Sequence, residues 1–257
     1  MFNKRHIVRT IAATVSILAL SFTAACGSGQ STASNSTDSD DITQQTYKPG
    51  KLTIATGQPA YEPWVMNDKP ESGEGYEAAV AYAVADKLGF KKSDVVWTRT
   101  AFDTAIAPGA KDWDFNIQQF GITDERKKAV DFSSSYYNDS QSVVVKKDSK
   151  FANATKVSDL KDATVGVMVG TLAYDYAKAN IKDDIQTFND DAALAQALDA
   201  GQIDALVTST VECVYMVQSE QVKDAKVLGR LPDSEDKSGM GIVLPKDSPL
   251  MKSDSEA

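Results

Sequence analysis

Arg126 is the side chain in this sequence whose type and position suggest chemistry most clearly. It lies in FGITDERKKAVDFSSSYY, residues 120–137, at the start of a short predicted helix between two segments that have the pattern of buried strands. A guanidinium stays charged when it loses solvent, and its planar donors match the two oxygens of a carboxylate. The motif therefore favours recognition of a carboxylate. The alternative is a solvated helix end with a surface salt bridge, which contributes little free energy.

Two strand-to-helix turns offer further candidates. Gly170-Thr171-Leu172 follows a predicted strand, and free backbone N–H groups at the start of a helix attract an anion. A plain turn with an N-cap is the alternative there. The segment STVE, Ser209 to Glu212, has the capping-box pattern, in which both side chains close the start of a helix.

The histidine and cysteine content narrows the possible enzymes. His6 is the only histidine and lies in the N-terminal segment, so the mature protein has no histidine for a metal site, a Ser-His-Asp triad or a general base. We expect no metal and no cofactor. Cys213 has no disulfide partner if Cys26 is modified, and we expect it to be a buried, unreactive thiol.

The N-terminus is predicted to be a targeting segment. Residues 1–25 combine a basic start, an apolar stretch too short to span a bilayer comfortably, and small residues before Cys26. This pattern resembles the bacterial lipobox and predicts acylation of Cys26, although Thr23 stands where leucine is usual. An ordinary signal peptide with an incidental cysteine is the alternative.

Residues 26–49 are predicted to be a flexible, lipidated linker. Between Cys26 and Tyr47 they contain one aliphatic residue larger than alanine, Ile42, and cannot bury enough apolar surface to offset their ordering entropy. Loss of the N-terminal segment removes three cationic side chains and changes the formal net charge from -9 to -12. A polyanion would be repelled, so we expect no nucleic-acid partner.

From Lys51 onward the sequence alternates short β-rich runs with helical patterns, which indicates an α/β protein. The predicted strands cover residues 51–56, 95–100, 112–120, 142–147, 163–170, 185–189, 203–209, 225–230 and part of 238–250. The predicted helices cover 76–89, 102–107, 171–180, 190–201 and 210–218. In the first helix, Val80, Ala83, Val84 and Leu88 form the expected apolar stripe. Two similar α/β lobes in tandem are the simplest interpretation.

Four segments together resemble the family 3 extracellular solute-binding proteins, the amino-acid receptors of bacterial ABC importers. They are YEPW (61–64), DFNIQQFGITDERKKAVDFSSSYY (114–137), VGVMVGT (165–171) and GQIDALV (201–207). The resemblance implies the two-lobed type II periplasmic-binding-protein fold, with two crossing strands near 141–147 and 239–245 as the hinge. Lobe one is then expected at 50–140, lobe two at 141–238, and a return strand to lobe one at 239–257.

The resemblance also implies a ligand site in the cleft between the lobes. Arg126 matches the arginine that binds the ligand's α-carboxylate, with Thr123 capping its helix and Asp131, Phe132, Tyr136 and Tyr137 bracing the turn. The matching positions for the rest of the site are Thr171 and the Leu172 amide for the carboxylate, Tyr61 and Phe102 as aromatic walls, and Gln119 and Gly121 near the ammonium. Trp64 is assigned to packing.

Two departures from the family pattern concern Ser209 and the C-terminus. Ser209 stands where the family usually has an aspartate that pairs with the ligand ammonium, so either Glu212 substitutes for it or both residues only cap the helix. The family continues after KDSPL into a helical tail, whereas this sequence ends MKSDSEA. A shortened lobe one with exposed apolar surface is the corresponding expectation.

The resemblance implies a monomeric, lipid-anchored receptor on the extracytoplasmic face of the membrane. It would bind a small carboxylate-bearing solute, most simply an amino acid, and deliver it to an ABC permease without acting as an enzyme. The alternative is a dehydratase on the same fold, with Glu212 or Glu62 as its general acid. A sensor or scaffold protein is a third hypothesis.

Overall fold

The computed structural model describes residues 41–252, which form two five-stranded sheets with helices packed against them. The strands are β1 (Leu52–Thr56), β2 (Val95–Arg99), β3 (Phe115–Asn116), β4 (Asp131–Tyr137), β5 (Gln141–Lys146), β6 (Val165–Met168), β7 (Gln186–Phe188), β8 (Ala205–Ser209), β9 (Ala225–Arg230) and β10 (Met240–Leu244). The α-helices are α1 (Tyr76–Lys87), α2 (Phe102–Ile106), α3 (Leu172–Asn180), α4 (Asp191–Asp199) and α5 (Thr210–Gln218). Among these described helices, none is long and apolar enough to cross a membrane.

The predictions for the signal peptide, for acylation of Cys26 and for residues 26–40 of the linker lie outside the described residues. The last part of the predicted linker is structured. Asp41 caps a short 3-10 helix at Ile42–Gln44, and Ile42 packs against the core of the first sheet. The Tyr47 N–H donates to Asp114 at 2.6 Å, so this segment is attached to the folded domain.

Both sheets use the same arrangement of strands. The first has the order β2-β1-β3-β10-β4 and the second the order β7-β6-β8-β5-β9. Strands β10 and β5 are antiparallel to both of their neighbours, whereas β1 and β6 lie parallel to theirs. We call the first sheet with its helices lobe one and the second lobe two. The predicted two-lobed α/β fold is confirmed.

The chain passes between the lobes twice. It leaves lobe one after Tyr137 and enters lobe two at Gln141, and it returns between Arg230 and Met240. The two connections contact each other, since the Asp236 N–H donates to the Asp139 carbonyl at 2.9 Å. Strands β5 and β10, which contain most of the residues predicted to cross, each pair within a single sheet.

Helix α1 buries a different stripe from the one predicted. Ala81 and Ala85 are fully buried against the first sheet and Ala78 against Ala60 and Val65, while Ala83 is exposed. The larger side chains Val80, Val84 and Leu88 pack only at the margin of this core. Small alanines at the centre of the contact allow the helix to lie close to the sheet.

Two strands of lobe one differ from the prediction. Strand β3 was expected over 112–120 but is limited to Phe115–Asn116, because Gln119 adopts a left-handed conformation and donates its N–H to the Glu77 side chain. Strand β4 was not predicted. It carries three consecutive serines and pairs at the sheet edge with β10, which lies more than a hundred residues later.

Both lobes have apolar cores on the two faces of their sheets. Cys213 is fully buried in the core of lobe two, and burial raises its pKa well above the ordinary thiol value, as expected for an unreactive thiol. Trp64 is also buried and packs edge-on against Tyr76 and Tyr137, which agrees with its assignment to packing.

Candidate ligand-binding cleft

The eight residues predicted to contact a ligand line one cavity between the lobes. Lobe one contributes Tyr61, Phe102, Gln119, Gly121 and Arg126, and lobe two contributes Thr171, Leu172 and Ser209. Glu212, which the sequence analysis considered, also lines the cavity. The sequence analysis did not identify the remaining lining residues, which are Gln118, Asp139, Gln141, Met168, Ala173, Asp191, Thr208, Asp236 and Met240. A second cavity, beside the two connections between the lobes, is lined by none of these eight residues.

Arg126 reaches from lobe one to lobe two. Its Nη1 donates to the Gly121 carbonyl at 2.7 Å, and its Nη2 donates to the Gly170 carbonyl at 2.8 Å. As predicted, the Thr123 hydroxyl accepts the Arg126 backbone N–H, at 3.1 Å, which fixes the start of this short helix. Burial lowers the pKa of Arg126, while Asp175 and Asp236 oppose that shift. The guanidinium remains charged and points at the place where the lobes meet.

Only part of the predicted brace lies behind Arg126. Phe132 is buried with Phe120 in the core beneath this turn. Asp131 accepts from the Lys246 ammonium at 2.7 Å, and Tyr136 hydrogen-bonds to Glu77 instead. Tyr137 packs on Trp64, so the two tyrosines support α1 and the strand connection and not the arginine turn.

The two aromatic walls have different surroundings. Phe102 packs on Phe120 with ring centroids 4.7 Å apart, and the Arg126 Cζ lies 5.4 Å from the Phe102 centroid. It therefore covers one face of the guanidinium. The Tyr61 hydroxyl accepts the Ala192 N–H of lobe two at 3.2 Å, and burial raises the pKa of this phenol.

The start of α3 is organised by Thr171. Its hydroxyl accepts the Tyr174 N–H at 3.2 Å and donates to the Met168 carbonyl at 2.8 Å, so the side chain acts as an N-cap. Leu172 begins the helix and lies against lobe one, because a Cβ built on Gly121 would stand 2.5 Å from its Cδ1. The helix start therefore faces Arg126 across the cleft.

Ser209 is an N-cap, as the capping interpretation expected. Its Oγ accepts the Glu212 N–H at 3.2 Å. Glu212 does not complete a capping box, because its Oε2 accepts from the Thr208 hydroxyl at 2.9 Å. Glu212 is thus free of the helix start and turns its carboxyl toward the cleft lining.

Asp191 is an acidic neighbour of Glu212 in the cleft lining. Both side chains belong to residues that are 6% exposed, and the Thr208 hydroxyl lies 3.3 Å from Asp191 Oδ1. Burial raises the pKa of Asp191 to about 6 and, together with the charge of Asp191, raises the pKa of Glu212 well above its usual value. The sequence signal for Asp191 was an acid in the first turn of a helix, which is common and does not indicate a site.

Gln119 is held by a buried carboxylate. Glu77 on α1 is fully buried and accepts the Gln119 N–H at 2.8 Å, the Gln119 side-chain amide, and the Tyr136 hydroxyl. Burial raises the pKa of Glu77 to about 7 against the effect of these donors. Glu77 therefore sets the backbone of the cleft wall without lining the cleft.

The sequence profile of the bacterial extracellular solute-binding proteins, family 3, matches residues 52–209. The L-arginine-binding protein of Pseudomonas aeruginosa is 28% identical over 77% of this chain and 76% of its own length. The glutamine-binding protein of Geobacillus stearothermophilus is 32% identical over 80% of this chain and 82% of its own.

A solved structure has a similar fold. It is an ancestral amino acid-binding protein described as a precursor of cyclohexadienyl dehydratase, with a TM-score of 0.65 and 30% identity over 79% of this chain and 85% of that one. The likeness extends over both lobes described here.

Proposed function

This chain belongs to the bacterial extracellular solute-binding proteins of family 3, and on that premise we propose that it is a lipid-anchored receptor that binds an amino acid between its lobes and delivers it to an ABC permease. The observation that carries the proposal is the position of Arg126. Its guanidinium donates to a carbonyl of each lobe, at Gly121 and Gly170, within the cavity lined by all eight predicted residues.

A carboxylate bound at Arg126 would connect the two lobes. The Gly170 carbonyl immediately precedes the start of α3, where backbone N–H groups favour an anion. When the carboxylate replaces Gly170 as the partner of Nη2, it reaches the guanidinium of lobe one and the helix start of lobe two together. Ligand binding then favours the closed form, because the two halves of the carboxylate site come together only on closure.

The similarity to named binding proteins supports a receptor over the dehydratase alternative. Of the two general acids considered, Glu212 lines the cleft, while Glu62 hydrogen-bonds to Tyr215 and is absent from the cleft lining. Incubation with a cyclohexadienyl carboxylate distinguishes the two functions. A receptor produces no turnover, and product formation that is lost in Glu212→Gln would establish the enzyme.

The anchor part of the proposal rests on the small residues before Cys26 and on the polar segment after it. Mass spectrometry of the membrane fraction should find a diacylglyceryl group on Cys26, and Cys26→Ser should leave the protein unprocessed or released. An unmodified Cys26 in the membrane-bound protein would contradict this part alone.

A thermal-shift screen of the twenty common amino acids tests the binding function. A ligand that binds only the folded state raises the melting temperature by mass action, with about 2.7 kcal/mol of added stability at one hundred times Kd. At least one amino acid should raise it in the wild type and have little effect in Arg126→Ala. No response to any amino acid would overturn the proposed function.

A further inference from the structure

Asp191 and Glu212 have fewer hydrogen-bond donors than two buried carboxyls need. They lie in the first turns of α4 and α5, and within residues 41–252 the protein donor to both is the Thr208 hydroxyl, 2.9 Å from Glu212 and 3.3 Å from Asp191. A hydroxyl has one proton, so it can satisfy only one of them. A buried carboxylate without donors is costly, and the pair therefore needs a shared proton or donors from a ligand.

The charge of the cleft points to the kind of ligand. Four carboxyl groups line it, those of Asp139, Asp191, Glu212 and Asp236, whereas Arg126 is the cationic side chain in the described lining. Burial raises the pKa of Asp236, and the positive charge of Arg126 nearby partly offsets that shift. Asp139 lies beside Ser209, the position that matches the family's ammonium site. Asp191 and Glu212 then remain without a positive partner.

The pair also lies next to the expected side-chain wall. Tyr61 is close enough to feel the charges of Asp190, Asp191 and Glu212, and its hydroxyl accepts the Ala192 N–H at 3.2 Å. A ligand side chain against the Tyr61 ring would thus end beside the two carboxyls. Among the described residues, no group of three or more candidate metal ligands is found.

We infer that Asp191 and Glu212 bind a cationic group at the end of the ligand's side chain, so that the natural ligand is an amino acid with a net positive charge. The inference rests on the proposed function and specifies its substrate class. An ammonium or guanidinium provides several donors and the positive charge that the pair lacks. The proton shared by the empty pair leaves for solvent as the cation arrives.

This exchange makes affinity depend on pH. Because burial raises the pKa of Asp191 to about 6 and raises that of Glu212 well above its usual value, the pair holds a proton at mildly acidic pH and loses it as the pH rises. The cation therefore binds more tightly at pH 8 than at pH 6. Other titratable groups lie around the pair: Asp190, Tyr61, Asp139, Glu77 and Cys213, together with Glu62 and Tyr215, which line a small cavity with both carboxyls.

Calorimetric titration with L-arginine and its neutral isostere L-citrulline tests the inference. The wild type should bind L-arginine about ten-fold or more tighter than L-citrulline at pH 8. Heats measured at pH 6, where the pair still holds its proton, in phosphate and in Bis-Tris should show net proton release with L-arginine. Glu212→Gln should lose most of the preference and the proton release, while Asp184→Asn, an equal charge change at an exposed position of lobe two, should keep both.

The outcomes separate this inference from the proposed function. If the wild type binds L-citrulline or L-glutamine as tightly as L-arginine, the charge inference is wrong and the receptor function stands. If no amino acid binds, both fail. If Glu212→Gln does not fold, the test rests on the wild type alone, through its preference for L-arginine over L-citrulline and the number of protons released on binding. A preference for L-arginine without proton release would overturn the role of the pair.

Discussion

Glu77 connects the ionisation of one buried residue to the shape of the cleft wall. Its carboxylate is fully buried, accepts the Gln119 N–H at 2.8 Å, and also accepts from the Gln119 amide and the Tyr136 hydroxyl. These donors favour the ionised form, but burial outweighs them and raises the pKa to about 7. The left-handed backbone of Gln119, with φ of 50°, depends on this contact.

Glu77 should make the stability of the protein depend on pH. Its folded pKa of about 7 exceeds the ordinary 4.5, so its contribution is present below pH 4.5 and is lost as the pH rises toward 7. The loss is on the order of 3 kcal/mol at 1.36 kcal/mol per pKa unit. Urea unfolding between pH 5 and 8 should show a smaller fall in the free energy of unfolding for Glu77→Gln than for the wild type.

The matched control for Glu77 is Glu71→Gln, a change of the same type at an exposed position of lobe one. Asp191 and Glu212 also have raised pKa values and contribute to the pH dependence of stability. The quantity to compare is therefore the difference between wild type and variant in the slope of the free energy of unfolding against pH. Parallel curves for the wild type and Glu77→Gln would contradict the assigned pKa.

The cleft-lining residues could be predicted from the sequence where they belong to a specific motif. Arg126 lies in a long motif whose chemistry and family match agree, and the structure places its guanidinium in the cavity. Asp191 and Thr208 were missed because an acid in a first helical turn and a threonine at a strand end are common. In the folded protein the Thr208 hydroxyl lies 2.9 Å from the Glu212 carboxyl and 3.3 Å from the Asp191 carboxyl. This grouping depends on the tertiary structure and cannot be recognised from the sequence.

At the scale of elements, the starts of three helices in lobe two shape the cleft. Thr171 caps α3, Asp190 caps α4 through the Ala193 N–H at 2.8 Å, and Ser209 caps α5. Each cap follows the carboxyl end of a parallel strand, where the turn leaves backbone N–H groups facing the cleft. The caps therefore fix the positions of Leu172, Asp191 and Glu212.

Ser209→Ala tests whether the serine acts through α5 or through the ligand. Loss of the cap should lower the free energy of unfolding by about 1 kcal/mol, and Ser209→Asp should retain it, because aspartate also accepts from the helix N–H. Urea denaturation followed by tryptophan fluorescence measures this. An alanine variant as stable as the wild type but more than about ten-fold weaker in binding would place Ser209 in direct contact with the ligand.

Most helices and strands followed from their apolar pattern and turn residues, and the exceptions have tertiary causes. Strand β3 is short because Glu77 takes the Gln119 N–H that a longer ladder would use. Strand β4 was missed because Ser133, Ser134 and Ser135 lack β-propensity, and its pairing with β10 comes from the far end of the chain.

In the whole molecule, a few hydrogen bonds join lobe one to lobe two. They are Arg126 with the Gly170 carbonyl, Tyr61 with the Ala192 N–H, and Tyr215 with Glu62. Gly121 allows a close approach of the lobes, since an added Cβ would lie 2.5 Å from Leu172 Cδ1 and 2.8 Å from Asp236 Oδ2. Under the proposed mechanism, closure therefore requires that position 121 has no side chain.

Gly121→Ala should hinder closure without unfolding either lobe. We expect affinity to weaken about ten-fold, equivalent to 1.4 kcal/mol, because the added methyl group must displace Leu172 in the closed form. Small-angle scattering with saturating ligand should show a larger radius than for the wild type. The double variant Gly121→Ala/Leu172→Ala should recover affinity, and failure of this rescue would mean that the methyl group acts elsewhere.

Titration of amino acids against their decarboxylated amines tests the central claim, that Arg126 binds the carboxylate of an amino acid between the lobes. The wild type and Arg126→Ala are each titrated with L-arginine and agmatine, and with L-glutamine and 4-aminobutanamide. The wild type should bind at least one amino acid about 100-fold tighter than its amine, and Arg126→Ala should lose most of that difference. Equal affinity of the wild type for acid and amine, or an unchanged preference in Arg126→Ala, would contradict this role of Arg126.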